Sequence, residues 1–271
     1  MARTFASLLA RASVVAGALL LPSFDADAIE GGTALVPEAG VDAAEPPTAA
    51  ALPDGRRYLL LRLHGVNVKW GPPELGTGAV LRYAFVAEEI DRPDATNCRR
   101  LGPIADPLPR SALGPADFAR EIRRAMDEWS AVADVRFERV SEPAQADLVI
   151  GADLRRHGIA YSDLALDDSA AGAVAAVRAA AICFNLDLAW EDRFDGDPAT
   201  PDVRYVAAHE IGHVLGLDHV WGDHRVMRFV YREAIRAPQR DDLAGAVRLY
   251  GARTPAFAVR KTAPTPSSAA N

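Results

Sequence analysis

Cysteine, methionine and basic clusters are scarce in this chain. Its 271 residues include two cysteines and three methionines, and no run of Lys or Arg exceeds two. Two cysteines cannot build a disulfide framework; they leave two alternatives open, one bridge between Cys98 and Cys183 or two free thiols. A net charge of −7 without a basic stripe excludes a nucleic-acid partner, because phosphate binding needs concentrated positive charge. Missing too is any apolar run long enough to span a bilayer, which needs about 20 residues. No internal repeat appears, so one domain is the simplest division.

What is present is an ordinary globular balance, 49% hydrophobic and 25% charged, enough for one sizeable core. At the start, Arg3 and Arg11 precede a short apolar run from Ala12 to Leu21 and then the small-residue string Ala26-Asp27-Ala28. That order predicts a secretory signal over residues 1–28 and a secreted or periplasmic protein with no membrane span in its mature form. Residues 29–55 are rich in Ala, Pro and Gly and read as a flexible leader or short pro-segment. Residues 56–251 form one expected domain and 252–271 a disordered tail. With no sign of an oligomer interface, the expected state is a monomer.

Within the domain, "RYLLLRL" and "AVLRYAFV" predict strands. From Pro115 onward, Phe118, Ile122, Met126 and Trp129 recur at three- and four-residue spacings, one apolar face of a helix. "DVRFERV" and "ADLVIGA" predict two more strands. A Gly/Ala-rich irregular stretch follows, then a strand at "AAICFN". In "ATPDVRYVAAHEIGHVLG", Thr200 is the expected cap, Pro201 the first helical residue and Gly216 the stop. A last helix is expected in "PQRDDLAGAVRLYG".

Three of the six histidines fall in "VAAHEIGHVLGLDH". His209 and His213 are four apart on a helix, so their rings share one face a turn apart, the separation that clamps a metal ion. Gly216 permits the left-handed turn that brings His219 in as a third nitrogen. Three neutral imidazoles favour zinc with an open fourth position. Glu210 stands beside the ligands and suits a general base for water attack on a polarised carbonyl. Chance is a poor rival: five fixed positions at about one in twenty each, over roughly 260 windows, give an expectation on the order of one in ten thousand.

The full string HExxHxxGxxH is the metzincin signature, and its surroundings resemble the matrixins, the matrix metalloproteinase family. Met227, eight residues past His219, resembles their Met-turn methionine, and Tyr231 the tyrosine of their specificity-pocket wall. "DDLAGAVRLYG" is similar to their closing helix, and the segment from Phe118 to Gly158 to their first helix and next two strands. The resemblance spans about Trp70 to Gly251. It implies an α/β zincin fold: a twisted, mostly parallel five-stranded sheet, three helices and a zinc site in a cleft. It further implies a secreted endopeptidase acting on protein or peptide substrates, with Zn2+ on His209, His213 and His219, Glu210 as base, and Met227 and Gly216 supporting the site. A non-catalytic, zinc-loaded peptide-binding or adhesion module of the same fold is the alternative.

Several residues depart from that pattern. His157 matches a structural-zinc histidine, but Ile159 stands where its aspartate partner belongs, and Cys183 and Asn185 replace a histidine and a calcium-binding aspartate. Two readings stay open for Asp187 and for Asp163, Asp167 and Asp168: ligands of Ca2+, since carboxylates suit a hard cation, or solvated acidic loops. Phe229 occupies the position of an expected proline. The cysteine-switch string is absent, and Cys98 follows the first catalytic-domain strand. Two readings stay open for Asp218, orienting His219 or shaping a turn, and His224 is expected to face solvent.

Overall fold

Along Ala79–Phe85, Leu81 and Tyr83 point inward while Val80 and Arg82 point out, the period-two pattern of a strand with one face on a core. The computed structural model describes residues 57–254 apart from 105–107, 109, 156–157, 168–171, 198, 221–223 and 234. Among the described residues the elements are β1 (Leu59–Leu60), β2 (Arg62–Leu63), β3 (Val66–Lys69), β4 (Ala79–Phe85), β5 (Ile90–Asp91), β6 (Arg100–Gly102), α1 (Pro115–Ser130), β7 (Val135–Arg139), β8 (Leu148–Asp153), β9 (Ala160–Leu166), β10 (Val174–Phe184), α2 (Val203–Val214), β11 (Leu217–Asp218) and α3 (Arg240–Tyr250).

The central sheet runs β7-β4-β8-β10-β9. The first four strands are mutually parallel and β9 is antiparallel to β10. The expected mostly parallel five-stranded sheet with three helices is thus present. Short additions extend it: β3 pairs with the start of β10, β2 turns back on β3, and the β5–β6 hairpin joins the end of β8. Separately, β1 pairs with β11 beside the histidines.

α1 forms as its spacing predicts, with Pro115 at its first position and Phe118, Ile122, Met126 and Trp129 buried. It packs on α2, and the Trp129 indole N–H donates to the carbonyl of Ala208 at 3.0 Å. α2 is buried on nearly all sides, which makes it the central element of the core.

Three expectations are corrected. Residues 160–166, expected to be irregular, form β9, and β10 begins at Val174 rather than Ala180. β9 escapes recognition because it buries Ser162 and Asp163, whose polarity is met by partners remote in sequence; Asp163 accepts the backbone N–H groups of Asn97 and Cys98. β10 is rich in alanine, a residue of weak strand preference, and is held extended by ladders on both edges. The cap of α2 also differs. Asp202, not Thr200, accepts the Tyr205 N–H at 2.8 Å, and Pro201 lies before the cap.

Cys98 and Cys183 are joined in a disulfide across 85 residues, which resolves the open alternative. Around it Val86, Leu101, Val149 and Ala181 form a small second core. No helix among the described residues is long and apolar enough to cross a membrane. The signal and leader segments expected at residues 1–28 and 29–55, and residues 255–271 of the tail expected at 252–271, lie outside the described residues; of that tail, Ala252 bridges to Ala133 and the Arg253 N–H donates to the Val132 carbonyl, so its first residues continue the fold.

Candidate functional site

α2 carries His209 and His213 one turn apart, both fully buried. The helix ends at Val214, and Gly216 follows with φ +98°. A Cβ there would run into the Val68 carbonyl oxygen, so the turn demands glycine both for its backbone angle and for space. The reversed chain enters β11, whose pairing with β1 sets the height of the next residue, His219.

The three Nε2 atoms meet at 3.1 Å (His209 to His213) and 3.2 Å (each of these to His219). His209 Nδ1 lies 2.6 Å from the Val226 carbonyl and His213 Nδ1 2.9 Å from the Leu217 carbonyl. A carbonyl oxygen only accepts, so both Nδ1 atoms carry the ring hydrogen and both Nε2 atoms present bare lone pairs. Lone pairs facing one another this closely repel unless a cation stands among them. Tetrahedral nitrogen ligands about 2.0–2.1 Å from zinc lie roughly 3.3–3.4 Å apart, close to the spacing seen. The donor set therefore fits zinc. Burial holds His209 down to about 4, and burial with the neighbouring His209 holds His219 down to about 3. Burial, then the other two imidazoles, holds His213 well below the ordinary range. All three are neutral at pH 7, as metal ligands must be.

Glu210, next to the first of these histidines, is fully buried. Neither carboxyl oxygen meets a hydrogen-bond partner of ordinary geometry, although the Ser162 hydroxyl on β9 is near enough to favour the charged form. Burial, reinforced by Asp163, pushes the group up to about 8. A buried carboxyl without such partners is costly in structural terms.

Beneath the histidines, Met227 is buried and its sulfur fills the space a Cβ on Gly212 would need. The Val220 N–H donates to the Met227 carbonyl at 2.9 Å and folds this segment back under the helix. Asp242 of α3 accepts the N–H groups of Val226 and Met227, so the carbonyl that orients His209 is itself held in place. Sequence reasoning missed Gly212, Asp242 and the Val226 carbonyl. Only the acidic start of α3 hinted at one of them.

Tyr231 is fully buried. Its hydroxyl accepts the Asp202 N–H at 2.8 Å and donates to Glu233 at 3.0 Å, and its ring meets Tyr205 edge-on. It thus braces the start of α2. Asp202 is also paired with Arg236 at 2.7 Å. Phe229 sets its ring edge-on to His219 with centroids 5.0 Å apart. Asp218 accepts the backbone N–H of His219 at 2.7 Å, which shapes the turn. His224 is exposed, as expected.

The candidate Ca2+ carboxylates do not converge among the described residues. Asp163 is bound to Asn97 and Cys98 N–H groups, Asp167 is exposed, and Asp187 takes part in no cluster of three potential ligands. Asp168 and His157, expected at the surface since Ile159 replaces the aspartate of a structural-zinc pair, lie outside the described residues. Asn185, at the expected aspartate position, instead donates to the Gly158 carbonyl.

Comparison with known proteins agrees with this geometry. The matrixin family model, peptidase M10, matches residues 107–251. Metalloendoproteinase 1-MMP of Arabidopsis thaliana is 34% identical over 146 residues, 51% of this chain and 39% of that protein. Stromelysin-2 of Rattus norvegicus is 34% identical over 153 residues, 54% of this chain and 30% of its own length. Matrilysin of Mus musculus is 31% identical over 186 residues, 67% of each. The chain spans well under half the length of the first two.

Proposed function

Because the chain belongs to the matrixin family, we propose that it is a zinc-dependent endopeptidase, exported by the signal at residues 1–28 and acting as a monomer on protein or peptide substrates outside the cytoplasm. One observation carries this reading. Three imidazole nitrogens, those of His209 and His213 bare and buried, converge within 3.2 Å of one another, next to a buried carboxyl that meets no hydrogen bond of ordinary geometry.

In this reading His209, His213 and His219 hold the zinc. The ion supplies a Lewis acid that polarises a peptide carbonyl and lowers the pKa of bound water to about 7. Glu210 takes the proton of the attacking water and passes it to the leaving amine nitrogen, general base then general acid. Its burial excludes bulk water from that transfer and keeps its proton affinity near the working range. The Val226 and Leu217 carbonyls fix the ring tautomers, while Gly216 and Met227 hold the shape beneath. Tyr231 supports the pocket wall from behind by fastening it to the first turn of α2. The catalytic unit is residues 56–251, with residues 29–55 as its leader.

The test compares the chain with its Glu210→Ala variant for zinc content and for cleavage of a mixed peptide library. About one zinc in both, with cleavage lost only in the variant, supports the mechanism. Equal cleavage by both overturns it, and zinc in both without any cleavage favours a binding module of the same fold.

A further inference from the structure

A cavity of about 530 Å³ opens between α1 and the β4–β7 edge of the sheet. None of its lining residues belongs to α2 or to the segment that carries His219. Four arginines line it, Arg120, Arg123 and Arg124 from α1 and Arg139 from β7, against one carboxylate, Asp127. In a chain of net charge −7, this is a local excess of the opposite sign.

The four arginines fall into two pairs. Arg120 and Arg124 are both tied to the buried Glu121, at 3.2 and 2.7 Å, and are thereby held in place. Arg123 and Arg139 have no carboxylate partner among the described residues; Arg139 instead lies over the Phe85 ring at 5.5 Å. Both line the same cavity as the buried Tyr83. The cavity floor is apolar: Tyr83 and Met126 are buried and Phe137 half-buried.

Arg123 and Arg139 leave positive charge in excess of the one carboxylate that lines the cavity, and an anion relieves that excess. Their planar forks match carboxylates in bidentate geometry. An apolar floor between them takes hydrocarbon or aromatic side chains, and the volume lies within the ordinary range of ligand sites. We propose that this cavity is a second peptide-binding site, which takes an acidic segment with interspersed apolar residues from a protein substrate, remote from the bond that is cut. The proposal rests on the peptidase reading for its substrate class and on the Arg123 and Arg139 pair for its charge preference.

The test uses the intact chain and three probes: a capped peptide of alternating glutamate and phenylalanine, its glutamine counterpart, and a heparin hexasaccharide. Binding is followed by calorimetry in wild type, in an Arg123→Ser/Arg139→Ser double variant, and in Arg136→Ser, which alters the opposite face of β7. The acidic peptide is expected to bind wild type and Arg136→Ser alike, about tenfold more weakly to the double variant, and more weakly as salt rises. The glutamine peptide is expected not to bind. Equal binding of the acidic peptide by wild type and double variant overturns the proposal, as does a site that takes the hexasaccharide and not the peptide. Unchanged melting temperatures exclude misfolding of the variants.

A second arm measures kcat/KM for one cleavable core with and without an appended acidic segment. The double variant should lose a severalfold advantage for the extended substrate and keep its rate on the bare core. If no peptide is cleaved by any protein, the peptidase reading fails while the binding arm still decides whether the cavity recognises acidic peptides.

Discussion

The sulfur of Met227 occupies the space that a side chain on Gly212 would require, so the methionine packs directly against the backbone of the helix turn lying between His209 and His213. The two residues are fifteen apart in sequence and share one contact. That contact sets how closely the loop beneath the site approaches the helix above it.

Gly212→Ala should therefore destabilise the protein by about 1–3 kcal/mol through overpacking, because Met227 and the Trp129 ring are both buried and have little room to yield. A thermal melt checks this. A loss below about 0.5 kcal/mol would mean that the methionine re-packs freely.

Asp242 governs the same loop from the other side. Asp242→Ala leaves the N–H groups of Val226, Met227 and Gln239 without their acceptor. The expected cost is at least about 2 kcal/mol of stability, since buried donors are expensive to orphan. Zinc affinity should also fall about 10–100-fold, because the Val226 carbonyl that orients His209 is no longer anchored. Competition with a chelator of known affinity measures the second effect; unchanged affinity would show that His209 holds its orientation unaided.

Zinc binding should release protons in a pattern set by Glu210. In the metal-free protein its pKa is raised to about 8, so at pH 7 it holds a proton, whereas the histidines, at about 3 and 4 for His219 and His209, hold none. A nearby dication favours the carboxylate and expels that proton. At pH 7 wild type should release about one proton more per zinc than Glu210→Gln, and the difference should vanish by about pH 9, where Glu210 is already ionised. Calorimetry in buffers of differing ionisation enthalpy reads the number; equal release at pH 7 would contradict the raised pKa.

Removal of the Cys98–Cys183 bridge frees a loop of 85 residues. The Cys98→Ser/Cys183→Ser chain should lose about 4 kcal/mol, chiefly through the gain in entropy of its unfolded state. Comparing denaturant unfolding of this variant with wild type tests the figure. A loss under about 1 kcal/mol would mean that the small core around Val86, Leu101 and Val149 holds this region without the bond.

The residues of the histidine triad were legible because local chain geometry alone places them. Four residues of helix put His209 above His213, and one glycine with a positive φ turns the chain toward His219. The apolar face of α1 was legible for the same reason, since its period of three and four is a property of the chain itself. What the sequence alone could not supply lay in contacts between distant segments. β9 hides behind Ser162 and Asp163 because strand residues may be polar when partners far along the chain satisfy them. The alanines of β10 are extended only because strands flank them on both edges. Asp202 rather than Thr200 caps α2, where Arg236 and Tyr231 converge on it. The disulfide and the Asp242 anchor arise likewise from residues with no regular spacing in sequence, and the arginine-lined cavity exists only where the helical spacing of α1 meets β4 and β7. Periodicity and turn chemistry act over a few residues and can be read directly; hydrogen-bond satisfaction and charge balance in the interior are settled between segments, and only the assembled fold decides them.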